Sequence, residues 1–216
     1  MLSKWLFARG LFTLGSRFRS MQNSEFASIA EPRRYVSQQI HDFHALNGRG
    51  VIAHFDSESY ERYIWFARVG EGSLGGKARG LAFLNSLVLK HGLAKKYDNV
   101  KISIPRTIVV ATEFFDQFIL ENGLQYVIDS DISDEEILSE FVSSRLPEGL
   151  VEQLKAYIDT VRTPLAVRSS SKLEDSSYQP FAGVYSTYMI PLVENKDQML
   201  RMLGKAIKSV YASVFY

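Results

Sequence analysis

The chain has no cysteine in its 216 residues. A disulfide framework, a thiolate nucleophile and a zinc site of the cysteine type are therefore excluded. A reducing cytoplasm is the expected setting, although a cysteine-free chain is compatible with any compartment. An excess of charge of one sign is missing too, since 25 Lys and Arg against 24 Asp and Glu leave a net charge of +1. That balance argues against a nucleic-acid binder working through bulk charge and against an acidic disordered tail. No apolar run approaches the roughly 18 residues that a membrane span needs. Histidine is sparse, limited to His41, His44, His54 and His91, with no His-Glu-x-x-His spacing. His41 and His44 share a helix face at i, i+3 with only Asp42 nearby, a pattern that reads as a solvated face. There is no internal repeat and no low-complexity segment.

What is present centres on residues 164–188. Leu165-Ala166-Val167 reads as a buried strand, and Arg168 stands at its end. Ser169, Ser170 and Ser171, the acidic pair Glu174-Asp175 and Phe181-Ala182-Gly183 follow. A second strand is expected over Val184 to Ile190. A guanidinium at a strand end, with hydroxyls and a glycine that admits close backbone approach, suits a polyphosphate. The same stretch also reads as a polar hairpin loop with a surface arginine.

A glycine segment, Gly70-Glu71-Gly72-Ser73-Leu74-Gly75-Gly76-Lys77, lies upstream between a strand expected over Tyr63 to Val69 and a helix. Ala78, Leu81, Ala82, Leu84, Leu87 and Val88 mark that helix's expected buried face, and His91-Gly92 its stop. Gly70-x-Gly72-x-x-Gly75 satisfies the dinucleotide fingerprint, but the acid wanted at the end of the next strand is missing. A Walker A loop fails as well, because Glu71 and Ala78 occupy the places of its first glycine and its Ser or Thr. Consecutive glycines at a helix start do expose backbone N–H groups. Lys77 sits in the first turn, where the helix dipole makes a cation unfavourable by about 0.3–1 kcal/mol unless an anion lies before it. An exposed lysine simply tolerated there is the alternative.

Elsewhere the pattern is helical with short strands. Residues 1–20 carry Lys4, Arg9, Arg17 and Arg19 without an acid, among Trp5, Leu6, Phe7, Leu11, Phe12, Leu14 and Phe18. This mimics a mitochondrial presequence; an amphipathic helix packing on another module fits equally and is preferred, because the apolar pattern at Ser213–Tyr216 also stops uncapped, as in a piece of a longer polypeptide. A helix is expected from Pro32 to Asn47, with a hinge at Gly48-Arg49-Gly50. Strands are expected at Val51 to Phe55, Ile102 to Ile104 and Thr107 to Val110. Thr112 is the expected cap of a Phe-rich helix ending at Asn122-Gly123, and further helices are expected from Ser133, over Glu148 to Val161, and over Glu194 to Tyr211.

Ala166-Val167-Arg168-Ser169-Ser170, then Glu174-Asp175, then Phe181-Ala182-Gly183 with Thr187, together with Leu74-Gly75-Gly76-Lys77 upstream, resembles one known family. It is similar to the nucleotide-binding domain of phosphoenolpyruvate synthase and pyruvate phosphate dikinase, over about residues 60–216. The resemblance implies an α+β fold, the N-terminal part of an ATP-grasp-type domain with a mixed sheet over residues 51–216; the helical pattern before it reads as a lead-in over 1–50. The resemblance also implies ATP as ligand, bound by Lys77 with Gly75 and Gly76 on one side and by Arg168, Ser169, Gly183 and Thr187 on the other. Ser169 and Ser170 are expected to shape the loop more than to touch ATP. The family usually carries Gly-Ala-Asn where Ala78-Arg79-Gly80 stand, and glutamine after its Phe-Ala-Gly, where Val184 stands.

In the family, phosphate passes from ATP through a histidine to pyruvate. By the resemblance, magnesium ligands, the phosphohistidine and the pyruvate or phosphoenolpyruvate site are expected beyond Tyr216, so no catalytic residue and no metal ligand is assigned here. Partners in nucleic acid or membrane are not expected. The alternative from another class is a non-catalytic nucleotide-sensing or scaffolding module; a Rossmann dehydrogenase is disfavoured by the missing acid.

Overall fold

Gly10, at a φ of 75°, breaks the arginine-bearing N-terminal stretch into two short helices, α1 (Leu2–Ala8) and α2 (Phe12–Arg19). The computed structural model describes residues 2–19, 26, 28, 30–47, 52–55, 66–93, 96–100, 102–171 and 186–216. The chain separates into two compact units, residues 1–50 with 61–65, and residues 51–60 with 66–216. In the first, Leu6, Leu14 and Phe18 are buried against Tyr35, Val36, Ile40 and Phe43 of α3 (Ala30–Asn47). Arg17 donates to Gln39 Oε1 at 3.0 Å. The apolar stripe between the arginines is thus a small helical core. Pro32 stands in the first turn of α3, where its missing N–H is harmless.

The second unit begins with a parallel sheet of order β1 (Ala53–His54), β2 (Phe66–Val69), β3 (Thr107–Val110). Register pairs Ala53 with Ala67 and Phe66 with Thr107. Phe66, Ala67 and Val69 are buried, as expected of a central parallel strand flanked on both sides. The crossover from β2 to β3 contains α4 (Gly75–Lys90), which closes at His91 with Gly92 at φ 61°.

A helical layer follows. It contains α5 (Thr112–Glu121), a 3₁₀ turn (Leu124–Asp129), α6 (Asp134–Ser143) and α7 (Glu148–Thr160). Then come the antiparallel strands β4 (Leu165–Arg168) and β5 (Thr187–Ile190), and α8 (Lys196–Ala212). Phe118, Ile119, Leu124, Val127, Ile137, Phe141 and Ala212 make one core cluster, with Phe118 and Phe141 ring centroids 5.6 Å apart. Asn122 joins α5 to the turn after α6: its Nδ2 donates to Phe118 O and Arg145 O, and its Oδ1 accepts from Arg145 N. Lys208 of α8 donates to Val142 O and Ser144 O at the end of α6, where a cation complements the dipole. α8 therefore ties the helical layer to the hairpin, packing on α6, α7, β4 and β5. No helix among the described residues is long and apolar enough to cross a membrane.

Several expectations change. The fold is α+β, but the described strands form a parallel sheet and a separate antiparallel hairpin where one mixed sheet was expected. Strand structure is present at 107–110 and absent at 102–104, where Pro105 interrupts the run. Leu165 to Val167 is not a buried strand: Ala166 is exposed and its neighbours are half-buried, because the hairpin has one covered face. Leu84 is 48% exposed and Asn85 is buried in its place, so the inner face of α4 is shifted by one residue there. The hinge at 48–50, residues 63–65 of the strand expected over Tyr63 to Val69, and the His41 and His44 side chains lie outside what is described.

Candidate functional site

The glycine segment sits at the carboxyl edge of the parallel sheet, leaving β2 and entering α4. Ligands of open α/β sheets bind at that edge. Its course is fixed from β3 and α5. Ser73 N donates to Thr112 Oγ1 at 3.0 Å, Thr112 N donates to Ser73 O at 3.1 Å, and Glu113 N donates to Glu71 O at 3.2 Å. Glu113 Oε2 in turn accepts from Glu71 N at 2.6 Å. Thr112 is thus not the cap of its own helix: Ala111 holds that position and the threonine hydroxyl is engaged across the turn. Gly72, at φ 95°, is required by that contact, because a Cβ there would stand 2.6 Å from Thr112 Oγ1.

Beside the turn, Arg68 at the end of β2 donates to His54 Nε2 through Nε at 3.0 Å and approaches it through Nη2 at 2.7 Å. The same Nη2 pairs with Glu71 Oε2, and His54 Nε2 lies 3.4 Å from Glu71 Oε1. Among the described residues, the carboxylates at the glycine turn are therefore engaged, Glu71 by Arg68 and Glu113 by the backbone. Among the described residues no group of three or more His, Asp or Glu is placed to hold a metal ion; Glu174 and Asp175 lie outside them.

The first turn of α4 has no side-chain cap, since Leu74 is its N-cap residue, and it contains no acid. Lys77 stands in it, half-buried. Acceptors come from elsewhere: Ser73 Oγ takes the Gly75 N–H at 3.4 Å, and Ser170 Oγ takes the Ala78 N–H at 2.9 Å. Ser170 Oγ also donates to Leu74 O at 2.8 Å. Gly75, buried and at φ 75°, faces Ser170 directly, and a Cβ on it would overlap the Ser170 carbonyl oxygen. Two segments far apart in sequence are thus in backbone contact, and the contact admits only glycine.

Of the residues singled out from the sequence, Gly75, Gly76 and Lys77 open α4, and Ser169 is buried beside Ser170. Arg168 and Thr187 are cross-strand partners at the end of the hairpin where the chain passes from one strand to the other, both exposed. Gly183 lies outside the described residues. The sequence reading named Ser170 as a loop-shaping residue, and its hydroxyl bonds backbone on both sides as that requires. It missed Thr112, Glu113, Arg68 and His54. A Thr-Glu pair directly after a strand was the available signal, and it reads equally well as an ordinary helix start.

A parallel βαβ unit with a glycine turn at its helix N-terminus, met there by a strand-end Arg-Ser-Ser segment, has the build of a nucleotide-binding α+β domain. The chain belongs to the pyruvate phosphate dikinase AMP/ATP-binding domain family, whose model matches residues 71–216. It is accordingly related to the ATP- or AMP-binding part of a family of phosphotransferases. No curated protein and no solved structure matches it.

Proposed function

We propose that this chain is the ATP-binding portion of a phosphoenolpyruvate synthase-like phosphotransferase, acting in the cytoplasm. In that reading the polyphosphate of ATP lies between the first turn of α4, with Gly75, Gly76 and Lys77, and the hairpin end, with Arg168, Ser169, Gly183 and Thr187. The observation that carries it is the Ser170 contact, which brings the Lys77 helix start and the strand end of Arg168 to one place. Cationic side chains and backbone N–H groups there would bind and orient phosphate, and positioning with charge neutralisation is most of what phosphoryl transfer asks of a protein. Magnesium, for which no ligand is assigned in this chain, would supply charge neutralisation on the phosphates. Transfer of one phosphoryl group of ATP through a histidine to pyruvate, giving phosphoenolpyruvate and AMP with the other phosphoryl group passing to water as inorganic phosphate, is the reaction of the whole enzyme in this proposal, with pyruvate held elsewhere.

A second reading, a nucleotide-sensing or scaffolding module without turnover, draws on the separate helical unit that precedes the domain. Calorimetric titration with ATP, AMP and NADH, followed by incubation with labelled ATP with and without pyruvate, tests both. The expected results are preference for ATP over AMP, no NADH binding, and no pyruvate-dependent AMP release by this chain alone. Equal binding of NADH would contradict the polyphosphate site, and AMP release on adding pyruvate would show that the chain carries the transfer machinery itself.

A further inference from the structure

The β4–β5 hairpin has an outer face that the core does not use. Leu165, Val167, Tyr188 and Ile190 are the more covered residues, while Ala166, Arg168, Thr187 and Met189 alternate outward and are exposed. Register pairs Arg168 with Thr187 and Ala166 with Met189. Two rungs therefore stand side by side on this face, one cationic and hydroxylic, the other apolar. Rungs two residues apart along a strand are separated by about 6.5–7 Å. Met189 is 70% exposed in the middle of a strand, a polarizable thioether left in water. Along β4 the order runs from Ala166 to Arg168 and on to Ser170, which already touches the first turn of α4. Apolar surface, guanidinium and helix N-terminus thus follow one another in sequence along one strand.

We propose that the Ala166–Met189 rung is the surface on which the nucleoside of the bound nucleotide rests, with its base against the Met189 thioether. Its phosphates then run past Arg168 and Thr187 toward Gly75, Gly76 and Lys77. The inference depends on the polyphosphate reading above and adds to it the direction of the ligand and the residue that separates a nucleotide from bare polyphosphate. The occupant is chosen by charge: the face changes from uncharged at Met189 to cationic at Arg168, and a nucleotide changes from an aromatic base to a polyanion over a comparable span. A thioether suits a planar base because sulfur makes favourable contacts with aromatic rings.

The test compares ATP with inorganic tripolyphosphate on the full chain. Since Met189 is mostly in water, Met189→Ser leaves the fold intact. It is expected to weaken ATP by about tenfold, the loss of roughly half of one buried apolar side chain. Tripolyphosphate affinity stays unchanged, and Met189→Leu restores ATP binding to within about twofold of wild type. ATP affinity unaltered in Met189→Ser, or a parallel fall for both ligands, overturns the inference. If Arg168→Ala weakens tripolyphosphate while Met189→Ser leaves ATP alone, only the nucleoside assignment fails. If wild type binds neither ligand, the polyphosphate reading fails and takes this inference with it.

Discussion

Ser170 and Gly75 show how a seam between distant segments is specified by two small residues. The serine hydroxyl accepts from Ala78 N and donates to Leu74 O, and the glycine leaves room for the serine's carbonyl. The missing side chain of Gly75 makes room for the protein's own backbone at Ser170, and nothing in a glycine says beforehand which surface it will meet. Ser170→Ala is expected to cost about 1–3 kcal/mol, because an N–H and a C=O lose their partner. Gly75→Ala is expected to cost more, since the backbone overlap adds to the strain of positive φ. Denaturant midpoints measure both, and a Gly75→Ala variant as stable as wild type would contradict the seam. Tyr211 offers a residue test of the core. Its hydroxyl is buried without a hydrogen-bond partner among the described residues, while the ring packs 5.0 Å from Phe115. Burial, with Asp116 adding to it, raises its pKa above the ordinary value of about 10. Because the folded value is the higher, stability from this group is full below pH ~10 and is lost as pH climbs toward the folded value. Tyr211→Phe is expected to be at least as stable as wild type at pH 7, relieving part of the ~1–3 kcal/mol of an unpaired hydroxyl, and to soften the alkaline loss. A clear destabilisation at pH 7 would show that the hydroxyl has a partner.

At the scale of elements, starts and stops were legible where the chemistry is local. Asn122-Gly123 ends α5, with Gly123 at φ 65°. Ser133 caps α6 in a reciprocal box, its hydroxyl accepting from Glu136 N at 3.3 Å while Glu136 Oε2 accepts from Ser133 N at 2.9 Å. The bonds from Ser133, backbone first and hydroxyl second, hold the Glu136 carboxyl below its ordinary range. A lowered folded value means that this stabilisation is present above pH ~4.5 and is lost as pH falls through the folded value. Ser133→Ala is expected to cost about 1 kcal/mol near neutrality. Glu136→Ala should flatten the acid limb of the stability profile, and an unchanged limb would remove the box from the account. What could not be read locally is which face of an element is covered. β4 looks buried by composition, yet α8 covers only one side of the hairpin, so Ala166 and Arg168 face outward. Thr112 reads as a cap by type and position, but the glycine turn competes for its hydroxyl and wins.

At the scale of the whole molecule, the family match begins at residue 71, within the glycine turn, and leaves the N-terminal helices outside it. We propose the first 50 residues as a separable helical lead-in, divided from the rest near the glycines at 48–50. Limited proteolysis should cut there and leave a folded remainder, whereas firm protection would argue for one cooperative body. The α+β class was legible, and so was a glycine turn that opens a helix, because each has local chemistry. The meeting of that turn with the strand end at Arg168 was not, since it depends on how the β2–α4 crossover and the hairpin are packed. That meeting is the central claim, and titration of ATP and adenosine into wild type, Lys77→Ala, Arg168→Ala and the double variant tests it most directly. The account predicts that each single change weakens ATP by about 1.5–3 kcal/mol, the worth of a charge-assisted bond, and leaves adenosine untouched. Unaltered ATP affinity in both single variants would contradict it.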